Sequence, residues 1–242
     1  MSTTAHLRAV AVGLIAFAAA EEEMLLAAAA SDVADLGNER RWAAIPTVAH
    51  NTEFKAEQAE RITSVLAGCA PPAFGEIDHR SPAVYGRYAA RTAVAVVGET
   101  RQVTASLLDG VVALEDDDLV DPSRHRWLNG RPLWLQIIVR GFWHPTGHVA
   151  DYYLGHGQQA RAVALQRHML ATTRYLDAPN QVAGMAAYSL ACAQSVAGST
   201  EDAARTLAEA IALNPDVRAN ADRDPDLEPL RGSGRLAAIL TS

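Results

Sequence analysis

Lysine is almost missing from this chain. Of its 21 basic residues only Lys55 is a lysine, while alanine is abundant, a bias of the kind that a high-GC coding sequence produces. Cysteine is nearly as scarce. Cys69 and Cys192 make neither a disulfide framework nor a metal-ligand spacing, and the expectation is a reduced, cytoplasmic protein. An excess of positive charge is also missing. The formal net charge is −7, and no basic patch of the kind a duplex nucleic-acid binder carries is found. No segment offers about 18 consecutive uncharged apolar residues with membrane flanks, so no membrane span is expected. Strand-like alternation is absent and β-branched clusters are few, which points to an all-α chain.

What is present is ordinary for a globular protein: 49% hydrophobic and 20% charged residues over 242 positions, enough for one large core or one core plus an annex. The N-terminal run "LRAVAVGLIAFAAA" has the outline of a signal peptide, with an Arg ahead of an apolar stretch ending in small residues. However, "EEE" closes it and "MLLAAAA" resumes it. Leu7, Val10, Leu14, Phe17, Met24 and Leu25 then fit one face of a long helix, and a first helix over about 4–31 is the preferred reading. "SDVADLGNER" reads as a connection. A second helix is expected from near Trp42 to about Leu66, ended by "AGCAPPAFG", with Pro46 early enough to be harmless. A third is expected from "SPAVYGRYAARTAVAVVGETRQVTASLLDGVVAL" as one piece, Ser81 capping it and Pro82 as its first residue. The acidic run "EDDD" at 115–118 reads as a solvated loop. A fourth helix starts near Pro132 and runs through "LWLQIIVRGFWHPTGHVADYYLG", and a further one covers about 158–176. Long helices with short to medium connections predict an antiparallel four-helix bundle with an extra helix, spanning 1–178.

After "DAPN" the composition shifts. Met185 to Pro215 reads as two short helices around a Gly turn. Ala191, Ala203 and Ala210 lie where paired helices approach closely, and Leu190, Gly198, Leu207 and Pro215 complete the spacing of one tetratricopeptide unit. One repeat cannot bury its own face, so 179–242 is expected to be a helical-hairpin annex with a capping tail. A protein partner could use this annex, and a homodimer is the other assembly left open.

Of eight histidines, His6, His79, His125, His156 and His168 have no neighbours that suggest chemistry. His144 and His148 differ. They stand four residues apart in a helix of apolar character, so both imidazoles share a face. Burying two imidazoles without partners is unfavourable, and a shared metal ion would resolve it. A third ligand must come from another helix, and His50 is the candidate. Glu53 and Glu57 fall near the face of His50, and Asp151 near that of the pair. These carboxylates are read as orienting the imidazoles, as completing the coordination, or as plain surface charge. Pro145 and Gly147 between the histidines predict a local kink that opens the helix there.

A tryptophan opening helix two, a histidine eight residues on, and W-H-x-x-x-H in a late helix are the marks carried here by Trp42, His50, Trp143, His144 and His148. In these residues and in helix order over about 4–176 the chain resembles the DinB-like four-helix bundle superfamily, which includes bacillithiol and mycothiol S-transferases and mycothiol-dependent maleylpyruvate isomerases. Pro145 and the annex depart from its commonest pattern. The resemblance implies one divalent metal on His50, His144 and His148. Three imidazoles leave a coordination position open, as in catalytic sites. Zinc is the first expectation, and nickel and iron use the same ligands. Such an ion would activate a thiol cofactor, mycothiol being favoured by the coding bias, or a water, for attack on a small electrophile in detoxification or self-resistance. A non-catalytic protein that binds partners through its annex is the alternative.

Overall fold

The computed structural model describes residues 4–31, 42–73 and 82–241. Every regular element among them is helical, with no strand, in line with the missing alternation in the sequence. The chain divides into two compact units, 1–152 and 153–242. The sequence-based boundary at 178/179 falls inside the second.

In the first unit α1 (Thr4–Ser31) packs against α2 (Ala44–Leu66) and α4 (Ala93–Ala113), and α2 against α4. The buried face of α1 runs through Ala11, Leu14, Ile15, Ala18, Glu22, Leu25 and Leu26. Met24, expected on that face, is 46% exposed, because it stands one position off the stripe. Helix α2 begins just after Trp42, and Pro46 sits in its first turn, where its missing N–H would have no partner in the helix. It ends in a left-handed Gly68, φ +68°, with Cys69 N–H donating back to the Ser64 carbonyl.

The expected single third helix is broken. A short α3 (Pro82–Ala89) precedes α4, and Thr92 between them is extended, its hydroxyl accepting from Ala95 N–H at 3.3 Å. That capping bond starts a new helix where no Gly or Pro marked a boundary. Ser81 lies outside the described residues, while Pro82 does open its helix. The acidic run is not a loop: α5 (Asp116–Val120) places Asp116, Asp117 and Asp118 in its first turn, where the helix dipole favours negative charge.

The fourth expected helix is continuous but not uniform. Between α6 (Leu133–Ile138) and α7 (His144–Gly155) lies a π-helical turn, Val139–Trp143, closed by His144 N–H donating to the Val139 carbonyl five residues back. Pro145 has no N–H to offer Gly141, so the regular ladder cannot run through this point. The anticipated opening of the helix is thus a widened turn. It packs on α1 and α2. A side chain at Gly141 would bring its Cβ within 2.7 Å of Ile15, so glycine is what lets α1 close on the widened turn.

The second unit pairs α8 (Gln159–Tyr175) with α9 (Asn180–Val196), and α9 with α10 (Thr200–Leu213). Gly198, φ +77°, makes the turn between α9 and α10. Ala187, Ala191, Ala203, Leu207 and Ala210 are fully buried between helices. At Gly184 an added Cβ would meet the Asn214 Cβ at 2.4 Å. The tail follows as α11 (Val217–Ala221), α12 (Glu228–Gly232) and α13 (Arg235–Thr241). Leu227, Leu230 and Leu236 of this tail enter the same apolar cluster as α9 and α10. Asp224 ties the tail down, accepting from the Tyr188 hydroxyl at 2.6 Å and from Asp226 N–H at 2.9 Å.

Candidate metal centre

The site begins with the register of α2. His50 lies two turns into this helix with Thr47, Val48, Ala49, Asn51 and Thr52 buried around it, and is itself fully buried. His144 opens α7 directly after the π-helical turn, and His148 follows one turn later on the same face. The Asn51 side-chain amide donates to the Pro145 carbonyl at 3.3 Å. This bond pins the residue beside His50 to the residue beside His144.

The three histidines meet. His144 Nε2 lies 3.0 Å from His50 Nε2. One ring nitrogen from each of His50, His144 and His148 falls within 4.8 Å of the others, the sole cluster of this kind among the described residues. Metal–nitrogen bonds of about 2.0–2.1 Å in tetrahedral geometry set ligand nitrogens about 3.4 Å apart. Small side-chain adjustments therefore bring the three nitrogens to one ion. The donor set, three imidazoles from two helices, fits a borderline-soft divalent cation.

Aromatic rings enclose the triad. Trp42 stands edge-on to His50 with centroids 5.3 Å apart, and parallel to His148 at 6.4 Å. Tyr85 and Tyr88 lie against Trp42, and Tyr88 meets His50 at 5.5 Å. Phe54 lies flat on His144, with centroids 4.0 Å apart and planes 17° apart. Low polarity around a charged centre strengthens its electrostatics.

The three carboxylates take separate partners. Glu53 accepts from the Tyr88 hydroxyl and from Arg87 at 3.0 Å. Burial, and then the bond to Glu53, push the Tyr88 phenol above its ordinary pKa and keep it protonated. Glu57 accepts from Arg140 at 2.9 Å and pairs with Arg61 at 3.5 Å. Asp151, two-thirds exposed, has an oxygen 4.0 Å from His148 Nδ1. Of the three, only Asp151 approaches a triad nitrogen, and it does so at the limit of an ion pair. Of the histidines assigned no role, His125 is held in the core at 3.0 Å from the Asp118 carbonyl, and His79 lies outside the described residues.

Neither Phe54 nor Tyr88 was given a role at the site from the sequence. Phe54 carried a usable signal, since it stands four residues after His50 and so on the same face. Tyr88 comes from α3, whose approach to α2 has no local mark.

Compared with known proteins, the chain matches no family model, no curated protein and no solved structure. The chemistry of the site therefore rests on its geometry. No helix among the described residues is long and apolar enough to cross a membrane.

Proposed function

We propose that this chain is a metal-dependent enzyme of the DinB-like kind: an antiparallel four-helix bundle carrying one divalent ion on His50, His144 and His148, with a tetratricopeptide-like hairpin annex. The observation that carries the reading is the convergence of three imidazole nitrogens within 4.8 Å, from two helices 94 residues apart in sequence at His50 and His144. A bound ion would supply the Lewis acidity that lets a thiol or a water attack an electrophile at neutral pH. The protein's part would be to hold the three imidazole donors together and leave the remaining positions to the reactants.

Mycothiol is the thiol the coding bias favours, and a small electrophilic molecule is the second reactant. Trp42, partly exposed, and Tyr85 give the site an aromatic wall against which an apolar part of that molecule can rest. The tail residues Leu227, Leu230 and Leu236 already fill the apolar cluster of the annex hairpin. That filling favours catalysis over partner docking as the main role. Elemental analysis tests the proposal. Purified protein should carry about one divalent ion per chain, and the His148→Ala protein should lose it while keeping its helical circular dichroism. A folded variant with unchanged metal content would overturn the reading.

A further inference from the structure

On α2, His50, Phe54 and Glu57 stand at offsets of four and seven, one face of a helix. Each has a counterpart on the segment that carries His144. His50 meets His144 nitrogen to nitrogen at 3.0 Å. The Phe54 ring lies flat on the His144 imidazole at 4.0 Å. The Arg140 guanidinium lies over the same Phe54 ring at 4.4 Å, and it donates to Glu57 at 2.9 Å. Phe54 is 9% exposed, and the Glu57 and Arg140 side chains 12% and 21%.

The torsion that turns an imidazole about its Cβ–Cγ bond is broad and roughly two-fold, unlike the staggered torsion before it. Helical spacing therefore brings His144 to the site without setting the plane of its ring. A flat aromatic face in contact with that ring sets the plane. Arg140 in turn holds Phe54 from moving, and Glu57 holds Arg140 with directional, charge-assisted hydrogen bonding. We propose that Phe54 and Arg140, anchored on Glu57, are positioning residues that fix the orientation of the His144 imidazole so that Nε2 points at His50. The orientation itself is a property of the protein alone. Its consequence, a site arranged for a metal before the metal arrives, rests on the reading given above.

The test uses the full chain and two readouts. Histidine-ring ¹H–¹⁵N spectra of the metal-free protein report whether His144 holds one orientation. Cobalt(II) titration followed by visible absorption reports affinity and ligand geometry. Phe54→Leu should broaden or split the His144 ring signals, weaken cobalt binding about tenfold and change the shape of the cobalt bands. Arg140→Met should act in the same direction and less strongly. Phe54→Tyr, which keeps the flat ring, should restore single signals and affinity. Val111→Ala, a truncation in the buried face of α4, should lower stability and change neither readout.

Wild-type ring signals in Phe54→Leu, or the same changes in Val111→Ala, would overturn the proposal. Should Phe54→Leu fail to fold, Arg140→Met decides by the same measures. A wild type that takes up no cobalt refutes the metal reading, and the ring spectra still decide the stack. Broadened ring signals with unchanged cobalt affinity refute the link between orientation and binding.

Discussion

The interior of the first unit buries charged side chains, and the interior of the second, among the described residues, does not. The first unit buries Glu22, Lys55, Gln58, Asn51, Thr52, Thr100 and Thr104. Lys55 Nζ reaches Glu22 at 2.5 Å and Thr104 at 3.2 Å, and both charged side chains are fully buried. Thr52 and Thr100 bond each other across helices at 2.5 Å. In 153–242 alanine and leucine dominate, and the buried polar residues (Gln166, Thr172, Thr173, Gln194, Ser195, Thr206 and Asn214) carry no charge. Among the described residues no Asp, Glu, Lys, Arg or His there is buried. A buried ion pair is at best a break-even contribution to stability, because removing two charges from water costs several kcal/mol per ion. The unit that tolerates this cost is also the one that holds the histidine triad. The other buries polar groups without charge, and its tyrosine–carboxylate bond ties down the tail. Polar groups inside a helical core specify one arrangement of the helices at some expense in stability, and a site needing three donors in register benefits from such specification.

The comparison can be broken most forcefully at Lys55. Replacing it with Met leaves Glu22 charged and unpaired in the interior, with an expected loss of about 3–5 kcal/mol in chemical denaturation. Adding Glu22→Leu to that variant should recover most of the loss. Failure to recover would mean that the pair is more than a costly specification of packing. Next in size is Leu207→Ala in the second unit, which should cost about 2–5 kcal/mol through its cavity and leave the metal content of the protein unchanged. A loss of metal there would show that the two interiors do not divide structure from chemistry in this way.

A smaller effect follows from pH. Burial first, and then Asp224, raise the pKa of the Tyr188 hydroxyl and of the Cys192 thiol above their ordinary values. These acids are held neutral in the folded state, so the unfolded chain ionises first. Stability is fully present below the unfolded values, about 8.5 for Cys and 10 for Tyr. It falls as pH rises above them, by at most about 1.4 kcal/mol per pH unit per group. Alkaline melting curves should show this decline, and Tyr188→Phe should lessen it. Smallest in energy is a labelling difference. Cys69 is exposed and Cys192 buried, so a thiol reagent should modify one cysteine per native chain and two after denaturation.

Much of this was legible because it depends on spacing. The all-helical class, the span of α1, the ends of α2 at Gly68 and the Gly198 turn all follow from periodicity and backbone chemistry. Spacing also put His144 and His148 on one face, whereas the place of His50 beside them was what the family resemblance implied. What escaped depends on alternatives that spacing does not separate. Thr92 caps a helix inside "AARTAV", where a continuous helix is equally well formed locally. The acidic run at 115–118 could solvate a loop or begin a helix, and the macrodipole tips it to the second. Glu22 and Lys55 are charged residues, and charge alone predicts exposure. Only the pairing of two of them from separate helices makes burial tolerable. The missing N–H of Pro145 foretold a loosened helix, but the close seat of α1 at Gly141 beside Ile15 is a tertiary fact.

The single lysine has one more consequence. With Lys55 sealed between α1, α2 and α4, the folded chain presents no side-chain amine to its surroundings. Acylating reagents, amine-directed cross-linkers and enzymes that conjugate onto lysine find no such target until this interior opens. Acylation at Lys55 would therefore be a chemical clock for the opening of the first unit, read at a single atom.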